Sequence, residues 1–313
     1  MYRTMYRISR SRIVLTSFAL VALTLLAGAA VADTINRGFD VAPGGKLQID
    51  SDRGAIEVHT GSDDRVEIEV LRKGEEAMKL DVEFEQRGND VIVSGDYPKS
   101  LGGFRFNWGN SQQIRFKVTV PSRYDVDLKT AGGSIGVDDL EGTVRAETSG
   151  GSLSFGRVYG PVWGRTSGGS ISLVGGVGDA DIRTSGGSIE IGDVDGDVVA
   201  ETSGGSIEID RAQGSVHADT SGGGIRVNEV MGTIVANTSG GSVHASITRQ
   251  PLADCRLTTS GGGITVDLGR DVAVNLDAAS SGGRVTTDLE VGNAVKSKNS
   301  LRGAINGGGP DLY

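Results

Sequence analysis

Between Thr130 and Thr259 the chain alternates apolar and polar positions in pairs of short runs, and each pair closes on the same four residues. Thr130-Ala131-Gly132-Gly133 is followed by Thr-Ser-Gly-Gly starting at Thr148, Thr166, Thr184, Thr202, Thr220 and Thr238, a return every 18 residues, six times in succession. In the unit after Gly187, Ser188-Ile189-Glu190-Ile191 is a first run and Gly192-Asp193-Val194-Asp195-Gly196 a turn. A second run from Asp197 to Thr202 ends at Ser203-Gly204-Gly205. Period-two alternation places Ile189 and Ile191 on one face of a strand and Val198, Ala200 and Thr202 on one face of the next, with Val194 able to reach the same core. The first-run pairs of other units are Ile135/Val137, Leu153/Phe155, Ile171/Leu173, Ile207/Ile209 and Ile225/Val227. The second-run pairs are Val144/Ala146, Ala180/Ile182, Val216/Ala218 and Ile234/Ala236.

No single unit can bury so few small side chains against itself. Stacking unit on unit makes a continuous narrow core and gives each strand a neighbour about 4.8 Å away. The pattern therefore predicts an all-β, single-stack β-solenoid, of β-helix or β-roll type, with 18-residue coils. Its cross-section stays open, since a three-sided left-handed helix uses the same coil length. The pairs Gly150/Gly151, Gly168/Gly169, Gly186/Gly187 and Gly204/Gly205 are expected to supply positive φ at the turn. A flexible Gly/Ser linker does not keep Ile and Val in register over such a length.

The ends are less regular. Leu47, Ile49, residues 51–58 and residues 66–70 read as one degenerate coil with the same in-out pattern. Residues 71–120 interrupt it with a charged stretch, strand-like runs at 80–84 and 91–93, and the aromatics Phe104, Phe106 and Trp108. That segment is expected to be a β-hairpin cap, because an open first coil would expose strand edges and core. Beyond the array the turn returns after 21 residues, at Thr259 and again at Ser280. Residues 300–305 echo residues 51–56, and 311–313 read as half a coil that leaves Leu312 and the strand edges uncovered. The expected organisation is 1–32 a signal peptide, 33–120 the degenerate coil plus cap, and 121–313 the solenoid of 18- to 21-residue repeats.

Composition narrows the rest. Gly makes up 50 of the 313 residues beside only 6 Pro, and without a period of three collagen is excluded. Arg3, Arg7, Arg10 and Arg12 precede an apolar run and the small-residue site Ala30-Val31-Ala32, the pattern of a secretory signal, which would start the mature chain at Asp33. The run reaches about 20 residues, so an uncleaved anchor is the competing reading. With cleavage no membrane span is expected, and the product is periplasmic, outer-surface or secreted. Losing four Arg takes the formal charge from -9 to -13, with acids and bases interspersed, which makes nucleic acid and anionic membrane poor partners. Cys255, the only cysteine, cannot make an intrachain disulfide.

The order of these features resembles a widespread family of bacterial β-strand-repeat proteins classed as "putative adhesins". The resemblance runs from about Gly38 to the end. It is carried by the signal, the degenerate opening strands, Val120-Pro121 leading into Asp125-Val126-Asp127-Leu128-Lys129-Thr130, the repeated Thr-Ser-Gly-Gly-Ser-Ile, and the closing Ile305-Asn306-Gly307-Gly308-Gly309-Pro310. It implies a surface or periplasmic β-solenoid without an assigned activity. Such chains usually continue with a further strand pair after the Gly-Gly-Gly-Pro segment, and this one stops.

Candidate chemistry is sparse. A calcium β-roll needs Gly-Gly-x-Gly-x-Asp repeats. Here Ser-Ile follows the Gly pair, and Arg157, Gly175 and Arg211 stand where Asp193 does. A polysaccharide-cleaving site needs an acid and a base converging in a cleft. The outward second-strand row reads Arg145, Trp163, Asp181, Val199, His217, Val235, without neighbouring carboxylates, and the first-strand row offers only Glu190 beside Glu208. His59, His217 and His244 fall on separate strands, so no metal site, cofactor or catalytic group is expected. Ser134, Ser152, Ser170, Ser188, Ser206 and Ser242 form a column, broken at Gly224, that either bonds neighbouring backbone or offers a flat surface to a glycan or ice. Tyr159, Trp163, Arg165, Arg145 and Asp181 are the one aromatic-plus-charge group in the array, the composition of an interaction anchor. The expected function is an exported, non-catalytic envelope or extracellular scaffold for a protein or glycan ligand. The alternatives are a self-assembling filament joined end to end and, third, a carbohydrate-active enzyme.

Overall fold

The computed structural model describes residues 32–61, 64–98 and 112–313, so the expected signal segment up to Val31 and the cluster Phe104, Phe106 and Trp108 lie outside the described residues. Two sheets run the length of the stack, one of thirteen strands (sheet 1) and one of eleven (sheet 2) among the described residues. First runs build sheet 1 and second runs build sheet 2, all parallel and in register. Ile171, Ile189, Ile207 and Ile225 follow one another in one column, and Ala180, Val198, Val216 and Ile234 in another. Each long strand of sheet 1 turns a corner at the position of Val174, Gly192 and Asp210, where pairing skips one residue and resumes at Gly175, Asp193 and Arg211. The corner lets Val158, Val194, Ala212 and Val230 bury beside the Ile column. The protein is thus a β-solenoid with the coil length read from the sequence.

Between the sheets each motif threonine is buried, from Thr130 to Thr238. A buried hydroxyl needs a partner, and it finds one in the preceding coil. Thr202 Oγ1 donates to the Gly187 carbonyl at 2.8 Å, and the pattern repeats at Thr148, Thr166, Thr184, Thr220 and Thr238. Serine hydroxyls stitch the same turn from outside: Ser134, Ser170 and Ser188 accept the N–H of the serine one coil on, each at 3.2 Å.

The glycines act differently from expectation. Among the described motif glycines only Gly133 lies in the left-handed region, at φ 143°. The constraint on the second glycine is the stack itself: a Cβ on Gly151, Gly169, Gly187 or Gly205 would sit 2.0–2.2 Å from the carbonyl oxygen of the matching glycine one coil earlier. The first glycine is freer, with nothing within 4 Å at Gly150 and 3.0–3.4 Å at Gly168, Gly186 and Gly204.

At the N-terminal end the strands Lys46–Ser51 and Ala55–Gly61 are a true coil, with Ser51 buried in the threonine column opposite Thr130. Residues 66–70 do not complete it. They belong to Arg65–Lys73, which runs antiparallel to Gln113–Pro121 and is itself covered by Ala32–Asp40. Sheet 2 ends in the antiparallel hairpin Asp81–Arg87 and Asp90–Asp96. Both sheets therefore close by reversing strand direction. Tyr124 fills this end, with its hydroxyl donating to the Asn89 carbonyl and pushed up to about 12 by burial.

At the other end the parallel stack stops earlier than the 121–313 reading. The motif at Thr259 still stacks, Thr259 Oγ1 donating to the Gly241 carbonyl at 2.6 Å, but the one at Ser280 does not. Instead Val274–Ala279, Gly292–Lys296 and Ser300–Ile305 form an antiparallel sheet, so the echo of the first coil at 300–305 is not a rung. Leu312 is also not exposed: it is 2% accessible. Asp311–Leu312 runs parallel to Val274–Ala279, and its carbonyl at Asp311 accepts the Cys255 N–H at 2.8 Å, adding one rung to sheet 2. The apolar side chain expected to drive association is part of the cap. Burial there pushes the Cys255 thiol up. Among the described residues sheet 1 receives no such cover. Its last strand, Ile264–Leu268, is an edge, and Ile264 is 42% exposed where Ile225, in the same column, is 2% exposed.

Candidate functional site

The outer face of sheet 2 carries two columns of side chains, spaced by the coil. One holds Arg145, Trp163, Asp181, Val199, His217 and Val235. The other, two residues further along each strand, holds Glu147, Arg165, Arg183, Glu201, Asp219 and Asn237. Period-two pleating puts both columns on one face.

Trp163 is half-buried between two cations, with the Arg145 guanidinium carbon 4.6 Å and that of Arg165 5.7 Å from the ring centroid. One arginine comes from the preceding coil and one from two residues along the same strand. Attraction of this kind is about 0.5–1 kcal/mol per pair where exposed, so the two arginines together favour one position of the indole. Behind it the inward position is Gly164, where a Cβ would lie 3.0 Å from Phe155. The large ring of one strand occupies the space left by the glycine of the next. Asp181 is drawn away from the indole to Arg183 at 2.6 Å, and Arg183 reaches on to Glu201 at 2.5 Å. The hydrogen bond that Arg183 donates to Asp181 is the main reason the Arg183 pKa rises still further.

Of the five residues expected to form one surface, the structure gathers Arg145, Trp163, Arg165 and Asp181. Tyr159 lies on sheet 1, paired with Glu141 and Val177, and no ring or cation contact joins it to Trp163 among the described residues. It is 52% exposed and lines a separate shallow recess of about 460 Å³ with Glu141, Gly160 and Val177. Only three residues separate the two aromatics in sequence, but the turn at Gly160-Pro161 carries the chain from one sheet to the other.

The alternation did not single out a groove of about 770 Å³ that runs beside the Trp163 site along six coils. One wall is the column from Arg165 to Asn237. The other is the motif serines, Ser167, Ser185, Ser203, Ser221 and Ser239, and the motif threonines lie along its floor. Its charge is graded, with arginines toward Trp163 and Glu201, Asp219 and Asn237 beyond. The signal was present in the residue before each motif threonine, which is polar throughout.

The three histidines lie on separate strands, and each has an acidic partner. His59 pairs with Asp138 at 2.8 Å, His217 with Asp219 at 2.7 Å and His244 with Asp267 at 3.5 Å. His217 and Asp219 further meet Glu201, one ligand atom from each lying within 4.8 Å of the others. Separate strands do not keep such groups apart here, because the register makes Glu201 and Asp219 direct neighbours. Glu190 and Glu208 are likewise neighbours on sheet 1, both exposed.

The model of the Toastrack DUF4097 family matches residues 45–306. The chain belongs to that family. No curated protein matches it. This Toastrack chain is similar to solved structures at low identity. A "putative adhesin" from Bacteroides fragilis is 14% identical, with 75% of this chain and 97% of that one covered and a TM-score of 0.38. A "putative adhesin" from Parabacteroides distasonis is 13% identical over 74% and 97%, with a TM-score of 0.40. A "putative lipid binding protein" from the same organism is 16% identical over 74% and 96%, with a TM-score of 0.41. No helix among the described residues of the Toastrack chain is long and apolar enough to cross a membrane.

Proposed function

We propose that this Toastrack chain is exported and serves, without catalysis, as an envelope or extracellular scaffold that takes a protein or glycan ligand on the outer face of sheet 2. The observation that carries this reading is Trp163 held between Arg145 and Arg165 at the head of the polar groove. An indole pinned by two guanidiniums offers a rigid, partly apolar surface at little entropic cost, the kind of group that dominates binding energy. The groove beyond it offers hydroxyls at coil spacing to an extended chain. Immobilised protein is expected to retain a ligand from envelope extract or a glycan array. Trp163→Ala should lower that retention at least about tenfold, the effect of a residue contributing over about 1.4 kcal/mol, with the melt unchanged. Retention that ignores Trp163 but is lost on Glu190→Gln would place the ligand on sheet 1 and reject the reading.

A filament is the second reading, and the edge at Ile264–Leu268 favours it: among the described residues no strand pairs with its outer side, and its apolar column is half-exposed. Sedimentation at high concentration is expected to show association that Ile264→Lys dissolves. A strict monomer throughout would eliminate it.

A further inference from the structure

We propose that Glu201, His217 and Asp219 form a binding site for a divalent transition metal of the zinc class. The coil spacing sets Glu201 beside Asp219 on adjacent strands, and pleating returns His217 to the same face two residues earlier. One ligand atom from each already lies within 4.8 Å of the others. Ligand atoms around zinc, bonded at about 2.0–2.2 Å, stand roughly 3.3 Å apart, so the widest separation must close by up to about 1.5 Å while the His217–Asp219 pair, at 2.7 Å, opens by about half an ångström. All three are half-exposed and free to turn by that much.

The donor set selects the ion. One imidazole nitrogen with two carboxylate oxygens suits zinc, copper or nickel, whereas calcium takes six to eight oxygens. Neighbouring groups already orient the ligands. Asn237 Nδ2 donates to Asp219 Oδ1 at 2.7 Å, which leaves Oδ2 directed at His217. Such outer hydrogen bonds tune metal affinity. Val199 and Val235 flank His217 on the two adjacent strands, so its imidazole has no polar rival within its own column. The opposing group is Arg183, bound to Glu201 Oε2 at 2.5 Å. It also holds Asp181 at 2.6 Å, so it keeps an anion when Glu201 turns to a metal. Three protein ligands leave a coordination position open. Because Glu201 and Asp219 line the groove, that position lies at its acidic part.

The protein carries its own controls. His59–Asp138 and His244–Asp267 are histidine–aspartate pairs with no third ligand among the described residues. Calorimetric titration of the full chain with zinc chloride near neutral pH is expected to show one ion per chain, undisplaced by excess calcium. His217→Gln should weaken binding at least about tenfold, Arg183→Gln should tighten it several-fold, and His59→Gln and His244→Gln should leave it unchanged. All four positions are partly exposed, and a melt of each variant establishes that it is folded. Absence of zinc binding up to millimolar concentration in the parent, or binding that survives His217→Gln, overturns the site.

Discussion

Deleting residues 187–204 is expected to yield a folded, shorter solenoid whose melting temperature stays within a few degrees of the parent. The deletion joins Gly186 to Gly205 and brings Ile171 and Leu173 beside Ile207 and Ile209, and Ala180 and Ile182 beside Val216 and Ala218, apolar on apolar throughout. Stability in a stack is close to a sum of unit and nearest-neighbour contributions, so losing one rung loses one share. Thr220 keeps its acceptor, the Gly205 carbonyl at 2.8 Å, and Arg183 meets Asp219 where it had met Glu201. Deleting only residues 187–200 is a different matter. It sets Glu201 after Gly186 and forces second-run residues onto first-run positions, which breaks the register of two sheets at once. That variant should lose its cooperative melt and its protease resistance. Equal collapse of both would mean that the coil is not the unit of folding.

The second large effect separates two adjacent glycines. Gly187→Ala places a Cβ 2.2 Å from the Gly169 carbonyl oxygen and 2.4 Å from its carbon, backbone atoms that cannot turn aside. Two coils must part, and the expected cost exceeds the roughly 1–3 kcal/mol of ordinary overpacking. Gly186→Ala meets the Gly168 oxygen at 3.1 Å, a contact that a few tenths of an ångström relieves. Its cost should stay under about 1 kcal/mol, partly offset by the lower entropy of the unfolded chain. Urea melts of the two variants measure the difference directly. If both positions cost the same, the constraint is conformational and not steric.

The first of these expectations rests on what the sequence made plain, whereas the steric limit on Gly187 shows only in the stack. A parallel in-register stack requires equal coil lengths, so the 18-residue return of Thr-Ser-Gly-Gly and the columns through Ile189 and Val198 are its direct image. The N-terminal hairpin was legible as a cap, but the direction of the strands at the two ends was not, for a related reason. A strand alternates its side chains identically whether its neighbour is parallel or antiparallel, so Val66, Ile68 and Val70 read as a coil strand and Leu301 and Ile305 as a late echo. Leu312 could not be placed because the residues it pairs with, around Cys255, are more than fifty positions away. At the site, Arg145, Trp163 and Asp181 were found because coil spacing alone makes them neighbours. Tyr159 was misplaced because closeness in sequence was taken for closeness across a turn. The groove and the Glu201–His217–Asp219 cluster require two columns to be read together, and the alternation of one strand carries only one.

The coil of Lys46–Ser51 and Ala55–Gly61 lies between rungs supplied by later sequence, Asp90–Asp96 with Gln113–Pro121 on one side and Asp125–Thr130 with Ile135–Val137 on the other. A chain emerging from its N-terminus therefore cannot set down its first turn and build upward. The first turn has no neighbour until about thirty residues beyond Gly61 have been made, and it is not enclosed until Ile135 arrives. From there each new coil needs only its own 18 residues and a finished edge to settle on. Loop closure over long separations is the slow element in such pairing, so the assembly of this molecule waits on the residues up to about Ile135 and then proceeds by short additions.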